Sequence, residues 1–586
     1  MLKTLAKSVR QYKAKTIATP CVMVVEAAME ILIPYVMTLL LGVLEDAQDA
    51  GAAVDFGGVL MYGGIMVAMA VLSLAAGVIG GALASQASAG YAANLRQDMY
   101  EKIQTYSFSN IDKFSTSSLI TRLTTDVTNV QMAYQMMTRM LVRAPVMFVF
   151  AIIMSFVVNA QIAWIFVGAA VVMAVAVLFI MSRAIPSFQR MLVKYDDMNA
   201  VAQENLTAVR VVKSYVREEH EIEKYQKATK AAYDFSVKAQ KWLVTLMPVV
   251  QAIIYITMFL LFLIGGNQFF VGALAITDLT ALLTYATQIL TGVMLFAMVL
   301  NFMAIAKPSA ARICEVLEEE SDLENPEDPV KTVADGSIDF ENVGFSYDQD
   351  ADGEVLKGID LHIRSGETVG IIGGTGSAKS TLVSLIPRLY DASEGTVKVG
   401  GVDVRQYDLE TLRNNVAMVL QKNVLFSGSI TENMRWGKED ATPEEIRAAC
   451  QAAQAEEFID RIPEKYDYDL GQGGVNVSGG QKQRLCIARA LLKKPKILIF
   501  DDSTSAVDTR TDALIRDALK KTEPDCTKII IAQRITSVQD ADRIIVMDDG
   551  RIDGVGTHDE LLKTNGIYRE VYESQMKGGE EDGKND

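Results

Sequence analysis

At 586 residues the chain is longer than one ordinary hydrophobic core requires, so at least two domains are expected. Half of it (50%) is hydrophobic and its mean hydropathy is +0.19, which excludes a purely soluble enzyme unless the apolar residues are gathered into membrane-spanning runs. A formal net charge of -16 argues against a nucleic-acid partner, and the five cysteines form no CxxC pair, which disfavours a disulfide framework or a zinc site.

The long apolar runs lie almost wholly before residue 307 and give six spans, at 16–44, 57–86, 132–158, 161–183, 244–265 and 277–305. Each is long enough to cross about 30 Å of hydrocarbon at roughly 1.5 Å per residue. The first follows a basic stretch (Lys3, Lys7, Arg10, Lys13, Lys15) and is too long for the apolar core of a cleaved signal, so it is expected to stay as a span. Links after spans one, three and five are short or acidic (Glu45, Asp46, Asp49, Asp55), whereas those after two and four are long and basic (Arg96, Lys102, Arg183, Arg190, Lys213). The bias predicts a multi-pass protein of the cytoplasmic membrane with both termini in the cytosol. The long inner links carry apolar residues at three-and-four spacing with almost no Gly or Pro, so the helices should continue well below the membrane.

Within the spans, Glu26 and Glu30 sit one turn apart, as do Arg139 and Arg143, so each pair shares a helix face. Two readings stand: ion pairs between helices near the inner interface, or a polar cavity wall that meets substrate. The 27 methionines suit a pliable pocket and ordinary apolar packing equally well. A helical exit from the last span and an acidic, Pro-bearing linker (307–336) separate a membrane domain, 1–320, from an α/β domain, 337–575; the acidic end, 576–586, reads as disordered.

In the second domain "ETVGIIGGTGSAKSTLVSLI" is an apolar strand running into a Gly-rich turn and a helix that begins near Lys379. Such a turn cradles phosphate on backbone N–H groups: Gly373, Gly374, Thr375, Gly376, Ser377, Ala378, Lys379, Ser380 and Thr381 form it, with Lys379 reaching the outer phosphates and Ser380 binding Mg2+. Ala378 replaces the usual last glycine; as a small residue that can be helical, it is expected to leave ATP binding intact. "KILIFDDSTSAVD" is a buried strand ending in Asp501 and Asp502, and a carboxylate at a strand end beside a phosphate loop is where magnesium is held, a role Asp501 fits. "NVSGGQKQR" opens another helix with a Ser-Gly-Gly turn, a second anion-binding terminus that a head-to-tail pair of such domains would offer to the other's ATP.

Over essentially its whole length the chain resembles an ATP-binding cassette (ABC) exporter half-transporter, a six-helix all-α membrane domain of the type I exporter fold fused to an α/β P-loop nucleotide-binding domain. The resemblance implies that Tyr347 of "GFSYD" stacks on adenine and that Gln421 meets magnesium and the membrane domain. It also makes Val477, Ser478, Gly479, Gly480 and Gln481 the signature for a partner's ATP, and places Ser505 and Asp508 in the D-loop. It further implies short coupling helices near 110–117 and 215–221, with Phe108 and Tyr215 as interface residues.

The departures from the family pattern carry as much information. The catalytic Glu is replaced by Asp502 and the switch His by Gln533. This implies a degenerate site that binds ATP and hydrolyses it slowly, and a non-identical partner half-transporter whose competent site this chain's signature completes. The expected cargo is amphiphilic, drug-like or lipid-like, taken from surroundings of membrane lipid. A peptide exporter, and an ATP-gated regulatory or sensor assembly that does not pump, are the alternatives.

Overall fold

The computed structural model describes residues 1–49, 55–347, 353–502 and 507–582. The chain divides into two compact units, one of residues 1–104 and 116–319, the other of residues 105–115 and 320–586.

The first unit is helical: α1 (Leu2–Lys7), α2 (Lys13–Asp49) and α3 (Phe56–Gln104) precede the excursion to the second unit, whose short α4 is Phe108–Phe114. The chain then returns as α5 (Thr116–Thr121), α6 (Val127–Val158), α7 (Ala160–Thr207), α8 (Val209–Ser214), α9 (Glu218–Phe270) and α10 (Ile276–Glu318). Among the described residues, six helices are long and apolar enough to cross a membrane. They overrun the hydrocarbon thickness, as the three-and-four spacing of the inner links predicts; α9 alone has 53 residues.

Packing follows side-chain size. In a bilayer, lipid is as apolar as leucine, so helices associate where small residues let backbones approach. Ala76, Gly80, Ala84, Ala87 and Ser88 form such a seam on α3, which packs chiefly on α2, while Leu60, Val67, Val71, Leu74 and Val78 stay on its exposed side. Where α10 meets α6, a Cβ on buried Gly292 would stand 3.2 Å from the Ala144 carbonyl oxygen. Asn159 ends α6 and caps α7, its side chain accepting from the N–H groups of Gln161 and Ile162.

The inner turn placed by resemblance at 215–221 is shifted: the short helix is α8, and Tyr215 and Arg217 flank a left-handed Val216 (φ 53°) before α9 begins at Glu218. α4 falls within 110–117 only in part, because the Ser107–Asn110 capping box starts it at Phe108.

Among the described residues, the second unit holds ten strands: β1 (Ile338–Phe345), β2 (Leu356–Ile363), β3 (Thr368–Gly373), β4 (Glu394–Val399), β5 (Val402–Asp403), β6 (Val416–Val419), β7 (Ile497–Asp501), β8 (Thr527–Ile531), β9 (Arg543–Asp548) and β10 (Arg551–Gly556). A small antiparallel sheet runs β2-β1-β4-β5, and the main sheet runs β10-β9-β3-β8-β7-β6. From β9 to β6 the main sheet is parallel. The runs Ile497–Asp501 and Thr527–Ile531 are buried at every residue, as central parallel strands covered on both faces must be. The final helix, Gly566–Asp582, extends into the stretch that charge alone assigns to a disordered tail.

Candidate nucleotide-binding site

In a parallel sheet ligands meet the carboxyl ends of the strands. The register aligns Ile371 of β3, Ile531 of β8 and Asp501 of β7, so the turn after Gly373, the acids Asp501 and Asp502, and Gln533 all emerge from adjacent strand ends. Gln421 follows β6 at the neighbouring position, since Val419 pairs with Phe500. It is exposed there and is not joined to the other site residues by any hydrogen bond found among the described residues.

The phosphate turn is built from β3 into α11 (Lys379–Ser384). Gly373 has no room for a side chain, because a Cβ would lie 2.2 Å from the Met547 carbonyl oxygen, and Gly376 takes φ 85°. Gly374, Thr375 and Gly376 are exposed, while Ser377 and Thr381 are buried and anchor the turn. Ala378 is not helical as its size suggested: it lies in the left-handed region at φ 66°, where an L-residue is strained by about 1–2 kcal/mol.

Lys379 Nζ folds back on the turn, donating to the Gly373 and Gly374 carbonyls at 3.0 and 2.7 Å and to Ser377 Oγ at 3.1 Å. Burial lowers its pKa, against the pull of Asp502 and Asp501. Ser380 Oγ donates to Asp501 Oδ1 at 2.7 Å, so the two groups expected to hold a cation are already side by side. Burial raises the Asp501 pKa; the Ser380 bond opposes this and the Asp502 charge adds to it. An exposed hydroxyl beside a buried carboxylate, both oxygen donors next to a phosphate turn, fits a hard divalent cation.

Asp502, buried and itself left-handed at φ 46°, accepts a 2.5 Å hydrogen bond from Gln533 Nε2. The two residues that depart from the family pattern therefore engage each other. Sequence reading missed what holds Gln533 in place: Gln575, on the last helix, donates to the Gln533 carbonyl at 2.7 Å and accepts from the Ile535 N–H at 2.9 Å. No local motif signals a brace from 42 residues away.

Tyr347 is 55% exposed, with its hydroxyl 3.0 Å from Thr381 Oγ1 and its ring edge-on to Phe345 and Tyr390. Tyr390 donates from its hydroxyl to Asp112 on α4 at 2.7 Å, and Phe108 packs against its ring.

The signature turn opens the helix Gly479–Leu491. Ser478 is its N-cap, bonded reciprocally with Gln481: the Ser478 N–H donates to Gln481 Oε1 at 2.8 Å, and the Gln481 N–H donates to Ser478 Oγ. Val477 is buried beneath the turn. Asp508 caps the helix Thr509–Thr522, accepting from the Thr511 N–H at 2.9 Å; Ser505 lies outside the described residues.

In the first unit, Arg143 bonds Glu30 at 2.8 Å and stands 3.5 Å from Glu26. Pairing across helices is thus present, but not at the inner interface: Glu30 lies near the middle of α2 and Arg143 near the middle of α6.

Residues 16–294 match the ABC transporter transmembrane region and residues 356–505 match the ABC transporter family. The chain is 36% identical over 554 residues to the ABC transporter ATP-binding protein YfiB of Bacillus subtilis, covering 94% of this chain and 95% of that protein. It is 31% identical over 493 residues to an ATP-dependent lipid A-core flippase of Desulfotalea psychrophila, covering 82% and 84%. The fold superposes on a bacterial Atm1-family ABC exporter with ATP bound at a TM-score of 0.80 and 25% identity, covering 96% and 98%. Family matches in both domains and relatives aligned along nearly the whole chain lead to one conclusion: the chain belongs to the ABC transporters, as an exporter with its transmembrane region and ATP-binding domain fused.

Proposed function

We propose that the chain is the degenerate half of a heterodimeric ABC exporter of amphiphiles in the cytoplasmic membrane, with both termini cytosolic. The observation that carries this reading is the Gln533–Asp502 bond. A general base must reach the attacking water and take its proton. Asp502 is one methylene shorter than Glu, and its carboxylate is engaged by an amide that cannot relay a proton at neutral pH. Loss of a positioned base costs about 10²–10⁴ in rate, or roughly 3–5 kcal/mol of barrier.

ATP binding itself keeps its parts. Lys379 and the exposed backbone of Gly374–Gly376 receive the phosphates, and Tyr347 offers its exposed ring to the adenine. Ser380, Asp501 and Gln421 would hold Mg2+, which supplies charge neutralisation on the outer phosphates. Ser478 and Gly480, on a fully capped helix terminus, are suited to complete the ATP site of a non-identical partner half-transporter. A tethering ATP at this chain's own site, with turnover at the partner's, would then drive the cavity from one face of the membrane to the other. An amphiphilic cargo is supported by the apolar spans and by the likeness to a lipid A-core flippase.

The test is nucleotide trapping on the assembled transporter with radiolabelled ATP, followed by separation of the two chains. Label is expected to persist as ATP on this chain and to turn over to ADP on the partner. Equally fast loss from both would overturn the asymmetric reading.

A further inference from the structure

The middle of the first unit contains a polar cluster larger than the Arg143 ion pairs. One guanidinium, Arg143, serves both Glu30 and Glu26, leaving Arg139, one turn away on α6, without an ion pair among the described residues. Arg139 Nε is buried and has no hydrogen-bond partner among the described residues, and the same holds for Glu26 Oε2, Arg143 Nε and Gln288 Oε1. Gln288, on α10, belongs to the group because its Nε2 donates to the Glu30 carbonyl at 3.1 Å. The neighbouring helix α3 makes room for Glu26 and lies against Arg139. A Cβ on Gly77 would stand 2.9 Å from Glu26 Oε1, and one on Gly81 would stand 3.9 Å from Arg139 Cζ.

Buried polar atoms are normally satisfied, and unpaired charge at mid-membrane is expensive, so four unpartnered polar atoms in one place point to a ligand that completes them. Their chemistry sets its class. The free groups include donors (Arg139 and Arg143 Nε) and acceptors (Glu26 Oε2 and Gln288 Oε1). Two carboxylates against two guanidiniums leave the cluster neutral, and a ligand bearing only an anion or only a cation would leave net charge in a low-dielectric setting. A zwitterion keeps neutrality while meeting both kinds of group. The helices that carry the cluster, α2 and α6, are apolar enough to cross a membrane, which favours an apolar tail. The Glu30 side chain is 39% exposed, so the cluster opens on one side.

We propose that Glu26, Arg139 and Gln288 form a headgroup subsite for a zwitterionic amphiphile, with a protonated amine on Glu26 and an anionic oxygen, phosphate or carboxylate, on Arg139. The proposal rests on the exporter-of-amphiphiles reading and names the substrate class of that reading.

The experiment is binding to the full-length chain in detergent, read by isothermal titration without ATP or partner. Four short-chain probes share one pair of tails: dihexanoyl phosphatidylethanolamine, phosphatidylcholine, phosphatidylglycerol and a dihexanoyl lipid with a purely cationic headgroup. Free phosphoethanolamine is the fifth. Phosphatidylethanolamine is expected to bind at least tenfold tighter than the anionic and cationic lipids. It should also bind tighter than phosphatidylcholine, whose quaternary amine cannot donate to Glu26, and than tail-free phosphoethanolamine. R139Q should lose at least tenfold of that affinity, and R139K should regain most of it. Equal affinity across headgroups, binding of phosphoethanolamine as tight as that of the lipid, or an R139Q protein that binds as the parent does would overturn the proposal. The wild-type headgroup series needs no variant, so a misfolded R139Q leaves it decisive. Binding as expected in a protein that moves no lipid in vesicles with its partner would instead count against the exporter reading.

Discussion

Two residues in the nucleotide site adopt backbone conformations that L-residues avoid, and the sequence around each explains its tolerance differently. Ala378 at φ 66° pays for its side chain with strain of about 1–2 kcal/mol, whereas Asp502 at φ 46° is a residue type that enters this region more readily. Replacing Ala378 with glycine removes that strain but frees the unfolded chain by about 0.4–1 kcal/mol, so Ala378→Gly is expected to stabilise the second unit by up to about 1.6 kcal/mol. Thermal unfolding with and without ATP checks this; a lower melting temperature would contradict it. For catalysis, Asp502→Glu alone lengthens the carboxylate but leaves the Gln533 amide in place. The double change Asp502→Glu with Gln533→His is expected to raise hydrolysis at this chain's site about 10²-fold, and more than either single change. Single-turnover assays with the partner's catalytic residue disabled would show it; no gain in the double variant would mean the missing power lies elsewhere.

At the scale of elements, the signature helix and the membrane seams make separate predictions. Ser478→Ala removes an N-cap worth about 1 kcal/mol, together with the hydroxyl proposed to meet the partner's ATP. Partner-dependent hydrolysis should fall more than tenfold while ATP affinity at this chain's own site is kept, measured by nucleotide binding to the chain alone. Gly292→Val places branched carbons against the Ala144 carbonyl where α10 crosses α6, an overpacking that costs about 1–3 kcal/mol. A lower melting temperature in detergent is expected; an unchanged one would mean the seam yields freely.

The elements best legible in the sequence were those with local chemistry. The phosphate turn shows in its glycines and Lys379, and the six spans show in uninterrupted apolarity. What stayed hidden depended on backbone angle or on distance along the chain. The left-handed Ala378 looks like any small residue, and α8 precedes its expected place because the bend sits at Val216. Gln575 reaches the switch loop from the last helix. Likewise, the pairing of Arg143 with Glu26 and Glu30 follows from facing helices, but their depth in the bundle had to be seen.

For the whole molecule, the proposed mechanism is a division of labour between two unlike chains. It depends on a site that retains the groups for binding ATP (Lys379, Ser380, Asp501) but holds Asp502 and Gln533 against each other. It also depends on a signature helix whose cap is intact. The most direct measurement is the ATPase rate of this chain purified alone, against the rate of the same chain co-purified with its partner half-transporter. Rapid hydrolysis is expected only in the assembled pair, abolished by disabling the partner's catalytic residue and barely changed by Asp502→Asn. Brisk hydrolysis by this chain alone, lost on Asp502→Asn, would contradict it and make Asp502 a working base.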